Sequence, residues 1–339
     1  MFAAREFMAE SKRTAIILAA GKSTRMKSAL PKPLQPVCGR PMLGYILDAA
    51  YAAGVEKALV VVGHGKEQVI EAFADDDRVE FVEQKEQLGT GHAAKVCIPS
   101  LQASGDGSED VLILAGDTPL VLGDSLKKLT DEHASAGADA TMGTAFLDDP
   151  FGYGRVMRDG MGHFVKIVEQ NDASPDEAAV KEVFPSLYCL KASALIDALG
   201  KLQNDNAKSE YYLTDVFEII QNGGGTVLAT HCVTPEEIIA PNTRGQLQQA
   251  DEAMQQRIQA ELADTGVGIA GPVYIEYGAS VGVDSFIAPF SFVGRGARVG
   301  ERCSVGPFGL VAAGAVVADD STIAGNASPA MPVGGPGNV

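Results

Sequence analysis

Hydrophobic positions divide the 339 residues into two textures. In the first, short runs that are apolar without alternation are interspersed with amphipathic stretches. TAIIL (14–18), KALVVV (57–62) and VLILA (111–115) are such runs, and each opens into a glycine-bearing turn. VEFVEQ, from Val79, predicts another strand. PMLGYILDAAYAAG predicts a helix with Pro41 in its first turn and Gly54 closing it, and EQVIEAFA predicts a second. Strands without polar alternation, separated by helices, predict an α/β fold whose mostly parallel sheet carries helices on both faces. Ligands of such sheets bind beyond the carboxyl ends of the strands. Leu18-Ala-Ala-Gly21 and Ala115-Gly116-Asp117 lie at two such ends.

The second texture begins near residue 246. QLQQADEAMQQRIQAELADTG predicts a polar helix with an apolar stripe, ended by Gly266. A period of six follows: Ile269, Ile275, Val281, Ile287, Val293, Val299, Val305, Val311, Val317 and Ile323 are all β-branched, and a small residue follows each except Ile275, which precedes Glu276. An inward β-branched residue and a small corner residue, repeated, are the mark of a hexapeptide β-helix of about three coils.

Charge sharpens the picture. The net charge is −17, which argues against a nucleic-acid binder. Yet Lys22, Arg25, Lys27 and Lys32 crowd one acid-free loop between Leu18 and Leu34, which predicts a site for a small anion. Five scattered cysteines, with no Cys-x-x-Cys pair, predict free thiols in a reducing compartment. The mixed polar start MFAAREFMAESKR lacks the apolar core of a signal peptide, and no run reaches the roughly 18–20 apolar residues of a membrane helix. The expected location is the cytoplasm.

LAAGKSTRMKSALPKPL (18–34) resembles the Leu-Ala-Ala-Gly-x-Gly-Thr-Arg-Met…Pro-Lys-x-Leu signature of sugar-1-phosphate nucleotidyltransferases. EQKEQLGTGHAA (83–94), LAGDTPL (114–120), DDPFGYGRVMRD (148–159), VKIVEQNDAS (165–174) and EYYLTD (210–215) follow in order. Together they are most similar to the uridyltransferase half of the bifunctional N-acetylglucosamine-1-phosphate uridyltransferases, over roughly residues 14 to 245. The resemblance implies a Rossmann-like nucleotidyltransferase domain at 12–245, a linker helix at 246–266, a short left-handed parallel β-helix at 267–325 and a flexible tail at 326–339.

It also implies a reaction in which a sugar-1-phosphate oxygen attacks the α-phosphorus of UTP and pyrophosphate leaves. Arg25 and Lys32 would neutralise the triphosphate; Lys22 and Lys27 read as incidental loop lysines. Asp117 and Asn242 would hold Mg²⁺. Leu18, Ala19, Ala20, Gly21, Gln84, Gly89 and Thr90 would meet the nucleotide. Gly116, Gly154, Glu169, Tyr212 and Thr214 would meet the sugar. Plainer readings exist: Asp117 as a helix N-cap, Gly154 as a turn glycine, Glu169 as a surface charge, and His64 and His92 as structural histidines.

Three departures stand out. Ser23 replaces the usual loop glycine, Ala115 replaces a tyrosine, and Phe184-Pro185-Ser186 replaces Asn-Thr/Ser-Gly, whose asparagine meets the N-acetyl side of the sugar. Phenylalanine offers no hydrogen bond and proline no N–H, so the sugar pocket is expected to differ and another hexose 1-phosphate or base is open. No histidine falls within the repeats, so no acetyltransferase activity is expected, although a homotrimer through the β-helix is. A non-catalytic scaffold is the rival from another class. It should have lost the phosphate and metal residues, and Arg25, Lys32, Asp117 and Asn242 are all present.

Overall fold

A computed structural model describes residues 12–22, 24–105, 107–206 and 209–325. Ser23 and the tail at 326–339 lie outside the described residues. The chain forms two compact units: one runs to Gln35 and from Pro41 to Gln246, the other comprises Pro36–Arg40 and the chain from Leu247.

The first unit is built around a mixed sheet. Its main strands are β1 (Arg13–Leu18), β4 (Lys57–Val62), β5 (Val79–Glu83), β6 (Asp110–Ala115), β7 (Ala140–Phe146), β10 (Glu182–Lys191) and β11 (Val227–His231), with β8 (Gly154–Arg158) and β9 (Phe164–Val168) branching from β10. The labels β2 (Pro36–Val37) and β3 (Arg40–Pro41) belong to a short pair outside it. The order is β11-β7-β10-β6-β1-β4-β5. Strand β1 pairs in parallel with β4 and β6, whereas β10 runs antiparallel to β6 and β7. Parallel strands need a covering layer on each face, and the burial alternates accordingly. Ala15, Ile17, Val60 and Val62 enter one apolar core, while Ile16, Leu59 and Val61 enter the other. Helix α1 (Met42–Ala52) follows Pro41, which stands at its N-cap rather than inside the first turn. The remaining helices of this unit are α2 (Lys66–Ala72), α3 (Thr90–Lys95), α4 (Ile98–Ser104), α5 (Gly123–Ala136), α6 (Pro175–Ala178), α7 (Ala192–Lys201) and α8 (Asp215–Asn222).

In the second unit the chain leaves α9 (Arg244–Asp264) and enters ten two-residue strands, β12 (Gly268–Ile269) to β21 (Thr322–Ile323). They stack in parallel on three faces, one carrying Ile269, Ile287, Val305 and Ile323, the next Ile275, Val293 and Val311, the third Val281, Val299 and Val317. This is the hexad pattern read from the sequence, in an arrangement consistent with a left-handed β-helix. Residues 36–40, expected within the first domain, cluster with this unit instead. The Cys38 N–H donates to Asp251 at 2.7 Å, the Cys38 carbonyl accepts from the Tyr277 N–H at 2.9 Å, and Arg40 lies 4.4 Å from the Tyr277 ring centroid. No periodic signal marks so short an excursion.

All five cysteines are free and buried. Among the described residues no helix is long and apolar enough to cross a membrane.

Candidate functional site

The ends of β1 and β6 are adjacent, with Leu18 opposite Ala115 in register. The chain then turns at Gly116, whose N–H donates to the Leu18 carbonyl at 2.9 Å. A Cβ on Gly116 would stand 2.7 Å from that same oxygen, so only glycine allows the approach. Beyond these strand ends opens a cleft of about 770 Å³. Every residue expected to meet the nucleotide, the sugar or the metal, and both Arg25 and Lys32, lines it, except Gly154. Gly154 stands behind the wall instead: a Cβ there would meet Ile167 at 2.8 Å and the Glu169 carboxyl carbon at 3.8 Å.

At one end of the cleft sits a compact charge network. Pro31 caps a single 3₁₀ turn, Lys32–Leu34, and Pro33 sits within it, so prolines flank Lys32 and restrict its backbone. The Lys32 ammonium forms an ion pair with Asp117, and its side chain is only 9% exposed. The Asn242 Oδ1 accepts from Lys32 Nζ at 2.9 Å and from Arg25 Nη2 at 2.9 Å. The Asn242 amide is held in this orientation because its Nδ2 donates to the Ala240 carbonyl at 3.1 Å. Asp117 caps no helix, since α5 begins only at Gly123 after Leu122. Lys22 and Lys27 are exposed and do not line the cleft. Tyr153, overlooked in the sequence, donates to the Ile238 carbonyl at 3.0 Å; burial, then the Asp117 charge, raises its pKa above the usual tyrosine value.

The adjoining wall is set by Gln84, which is 4% exposed, and by the turn through Gly89. The Gly91 N–H donates to the Tyr211 carbonyl at 2.8 Å and the Tyr211 N–H to the Leu88 carbonyl at 2.8 Å. The Thr90 hydroxyl accepts from the Leu213 N–H at 3.1 Å. Thr90 thus ties its turn to the segment bearing Tyr212 and Thr214.

Glu169, Tyr212 and Thr214 line the same cleft, as do Gln170, Ser186 and Tyr188. Phe184 does not line the cleft. It is 4% exposed and packs edge-on against Tyr188 and Phe217, at 4.8 and 5.6 Å between centroids. The register of β10 shifts between Val183 and Leu187, and Ser186 has φ +62°, so the bulge brings Ser186 rather than Phe184 to the cleft. Burial first, then the charges of Glu169 and Asp215, raise the Tyr188 pKa well above its ordinary value. Gln170 was missed because its fixing partner is remote in sequence: its Oε1 accepts from the Gly152 N–H at 2.8 Å and from the buried Arg155 at 2.7 Å.

Asp215, at the start of α8, is pushed up to about 6 by burial first, then by the charges of Glu218, Glu169 and Asp205. Because this exceeds the ordinary 3.8, the folded state binds the proton more tightly than the unfolded chain. The associated stability is complete below about pH 4 and is lost as pH rises through about 6. Asp215→Asn is therefore expected to raise the urea midpoint at about pH 7.5 and to leave it nearly unchanged at about pH 4. Equal shifts at both would rule out the charge as the cause.

Among the described residues no cluster of three histidine, cysteine, aspartate or glutamate side chains could hold a metal. A cation bound here would rely on Asp117, Asn242 and the oxygens of its ligand. The arrangement suits a polyanion at the charge network and a polyhydroxyl group near Glu169.

Known proteins resemble this chain over most of its length. The bifunctional protein GlmU of Pelobacter propionicus is 46% identical over 277 residues, 81% of this chain and 60% of its own length. Those of Shouchella clausii and Caldanaerobacter subterraneus are 46% and 45% identical over 82% and 81% of this chain, and 61% and 59% of their own lengths. The chain thus spans about 60% of the length of the curated relatives it matches. The MobA-like NTP transferase domain matches residues 15–209, which include both strand ends, the Arg25–Lys32 loop and Asp117. A match over more than half the chain places this protein in the MobA-like NTP transferase family.

Proposed function

We propose that the chain transfers a uridylyl group from UTP to N-acetylglucosamine-1-phosphate or a related hexose 1-phosphate, giving a UDP-sugar and pyrophosphate. The observation that carries the reading is the convergence of Arg25 and Lys32 with Asp117 and Asn242 in a cleft that Glu169, Tyr212 and Thr214 also line. In the reaction a sugar-phosphate oxygen forms a bond to the α-phosphorus while the bond from that phosphorus to the bridging oxygen of pyrophosphate breaks. Negative charge concentrates on phosphate oxygens, so positioning and fixed positive charge supply most of the catalysis. Arg25 offers a fork of donors and Lys32 a point charge.

The donor set fits Mg²⁺. Asp117 and Asn242 contribute one carboxylate and one amide oxygen, both hard, which already converge on a single cation, the Lys32 ammonium. Bound between them, Mg²⁺ would neutralise phosphate charge. The role of Lys32 and Arg25 is then to hold the triphosphate oxygens.

A related hexose 1-phosphate is the second reading, favoured by Ser186, which brings a hydroxyl to the cleft while Phe184 turns into the core. We extend the proposal to a homotrimer through the second unit, supported by the exposed Phe290, Phe308 and Leu310; sedimentation of the full chain reads that mass directly. No acetyl transfer is proposed, because all five histidines precede the repeats.

Pyrophosphate release with Mg²⁺ and UTP, measured against N-acetylglucosamine-, glucosamine- and glucose-1-phosphate, tests the reading. Turnover of at least one sugar is expected, with no coenzyme A released from acetyl-coenzyme A and glucosamine-1-phosphate. Absence of turnover with every sugar would overturn it and bring the scaffold reading forward.

A further inference from the structure

Gln84 and His92 make a contact that the reaction does not require. The Gln84 Nε2 lies 3.1 Å from the Gly89 carbonyl oxygen and 3.1 Å from the His92 Nδ1. A carboxamide nitrogen carries two hydrogens and accepts nothing, while a carbonyl oxygen only accepts. One Nε2 hydrogen therefore goes to Gly89. The other goes to His92 Nδ1, which must be the bare nitrogen of a neutral imidazole protonated on Nε2. Both hydrogens of the amide are then spent inside the wall. The remaining polar atom of this cleft-lining side chain is Oε1, an acceptor.

We propose that His92 is a positioning residue for base selection: it holds the Gln84 amide so that its oxygen faces the ring position at which uracil, and not cytosine, carries an N–H. The proposal rests on the reading of Gln84 as the base contact. Uracil presents such an N–H at N3. Cytosine presents a lone pair at the same place, and would face the Gln84 oxygen with like charge against like. To meet the cytosine N3 lone pair the amide would have to turn over, which would set its oxygen against the Gly89 carbonyl and deprive His92 Nδ1 of its donor. Two contacts oppose that rotation, and His92 supplies one. It stands on α3, half-buried, with its ring 6.4 Å from that of Tyr211, so its own orientation is confined.

The test compares the full chain with His92→Ala and His92→Asn. For each, kcat/KM is measured with UTP and CTP, and equilibrium binding of both nucleotides is measured by calorimetry. His92→Ala is expected to lower the UTP-to-CTP ratio about tenfold, as loss of one hydrogen bond implies. His92→Asn, whose side-chain oxygen can accept from Gln84, is expected to recover most of the ratio. A merely structural histidine would instead weaken both nucleotides alike, and that outcome would overturn the proposal. Nitrogen-15 spectra of the histidines give a second reading: the His92 Nδ1 is expected unprotonated at neutral pH, and a protonated Nδ1 would also overturn it. Binding and tautomer are read without turnover. Failure of the uridylyl-transfer reading would therefore appear as inactivity with every sugar, and would not be confused with failure of this one.

Discussion

Lys32→Ala is expected to lower kcat/KM for pyrophosphate release by about 10²–10³-fold, the range seen when one fixed electrostatic partner of a developing charge is removed. The effect should be large because the ammonium is already in place. It is paired with Asp117, bonded to Asn242 and flanked in the chain by Pro31 and Pro33, so little reorganisation is needed when phosphate arrives. Removing it takes away a cation and leaves Asp117, with only 27% of its side chain exposed, without that partner. The loss should fall on kcat more than on the KM for the sugar phosphate. Lys22→Ala is the matched control: Lys22 belongs to the same basic cluster but is exposed and outside the cleft, and should change kcat/KM less than about twofold. Equal losses in the two variants would mean that the loop acts through its net charge, and the distinction between working and incidental lysines would fail. The urea midpoint of Lys32→Ala, measured alongside, separates lost catalysis from lost structure.

How legible this site was depended on the range of the signal. The strand ends could be read because a fully buried parallel strand leaves an unbroken apolar run, and the run of ten hexads because its period is repeated along the chain. The clustering of Arg25 with Lys32 was visible in the charge pattern. The assignment of Asp117 and Asn242 to the same end came only from resemblance, since 125 residues separate them and no periodicity connects them. The meaning of Phe184 was misplaced for a local reason. Alternation along a strand predicts which face a side chain takes, but the irregularity between Val183 and Leu187 and the left-handed Ser186 break that alternation. The chemical change at the cleft is therefore an added serine as well as a lost asparagine. His92 read as a plain structural histidine because a hydrogen bond through Nδ1 to Gln84, on the far side of the Gly89 turn, has no sequence signature at all.

Gly89→Ala should be nearly as damaging as the loss of Lys32, by a different route. Gly89 has φ +105°, a conformation that L side chains rarely adopt, and an added Cβ would stand 2.5 Å from the Tyr211 carbonyl oxygen and 2.9 Å from the Tyr211 nitrogen. Both neighbours are backbone, so neither can rotate away. The turn must separate from the 211–213 segment, which strains or breaks the three hydrogen bonds linking Leu88, Thr90 and Gly91 to Tyr211 and Leu213. Steric strain of this kind costs about 1–3 kcal/mol. The functional cost should be greater than that stability loss suggests, because the two segments carry different parts of the cleft. One bears Thr90 and the carbonyl that holds Gln84; the other bears Tyr212 and Thr214. A single methyl group is thus expected to raise KM for UTP and for the sugar phosphate together, lowering kcat/KM about 10²-fold, as small misplacements of reacting groups do. Gly137→Ala supplies the contrast. That glycine also has positive φ, at +60°, but an added Cβ would have no atom within 4 Å, so about 1 kcal/mol of stability should be lost without change in either KM. If Gly89→Ala raised KM for UTP alone, the two walls of the cleft would be independent, and the hydrogen bonds between them would serve the fold rather than the joint placement of the two substrates.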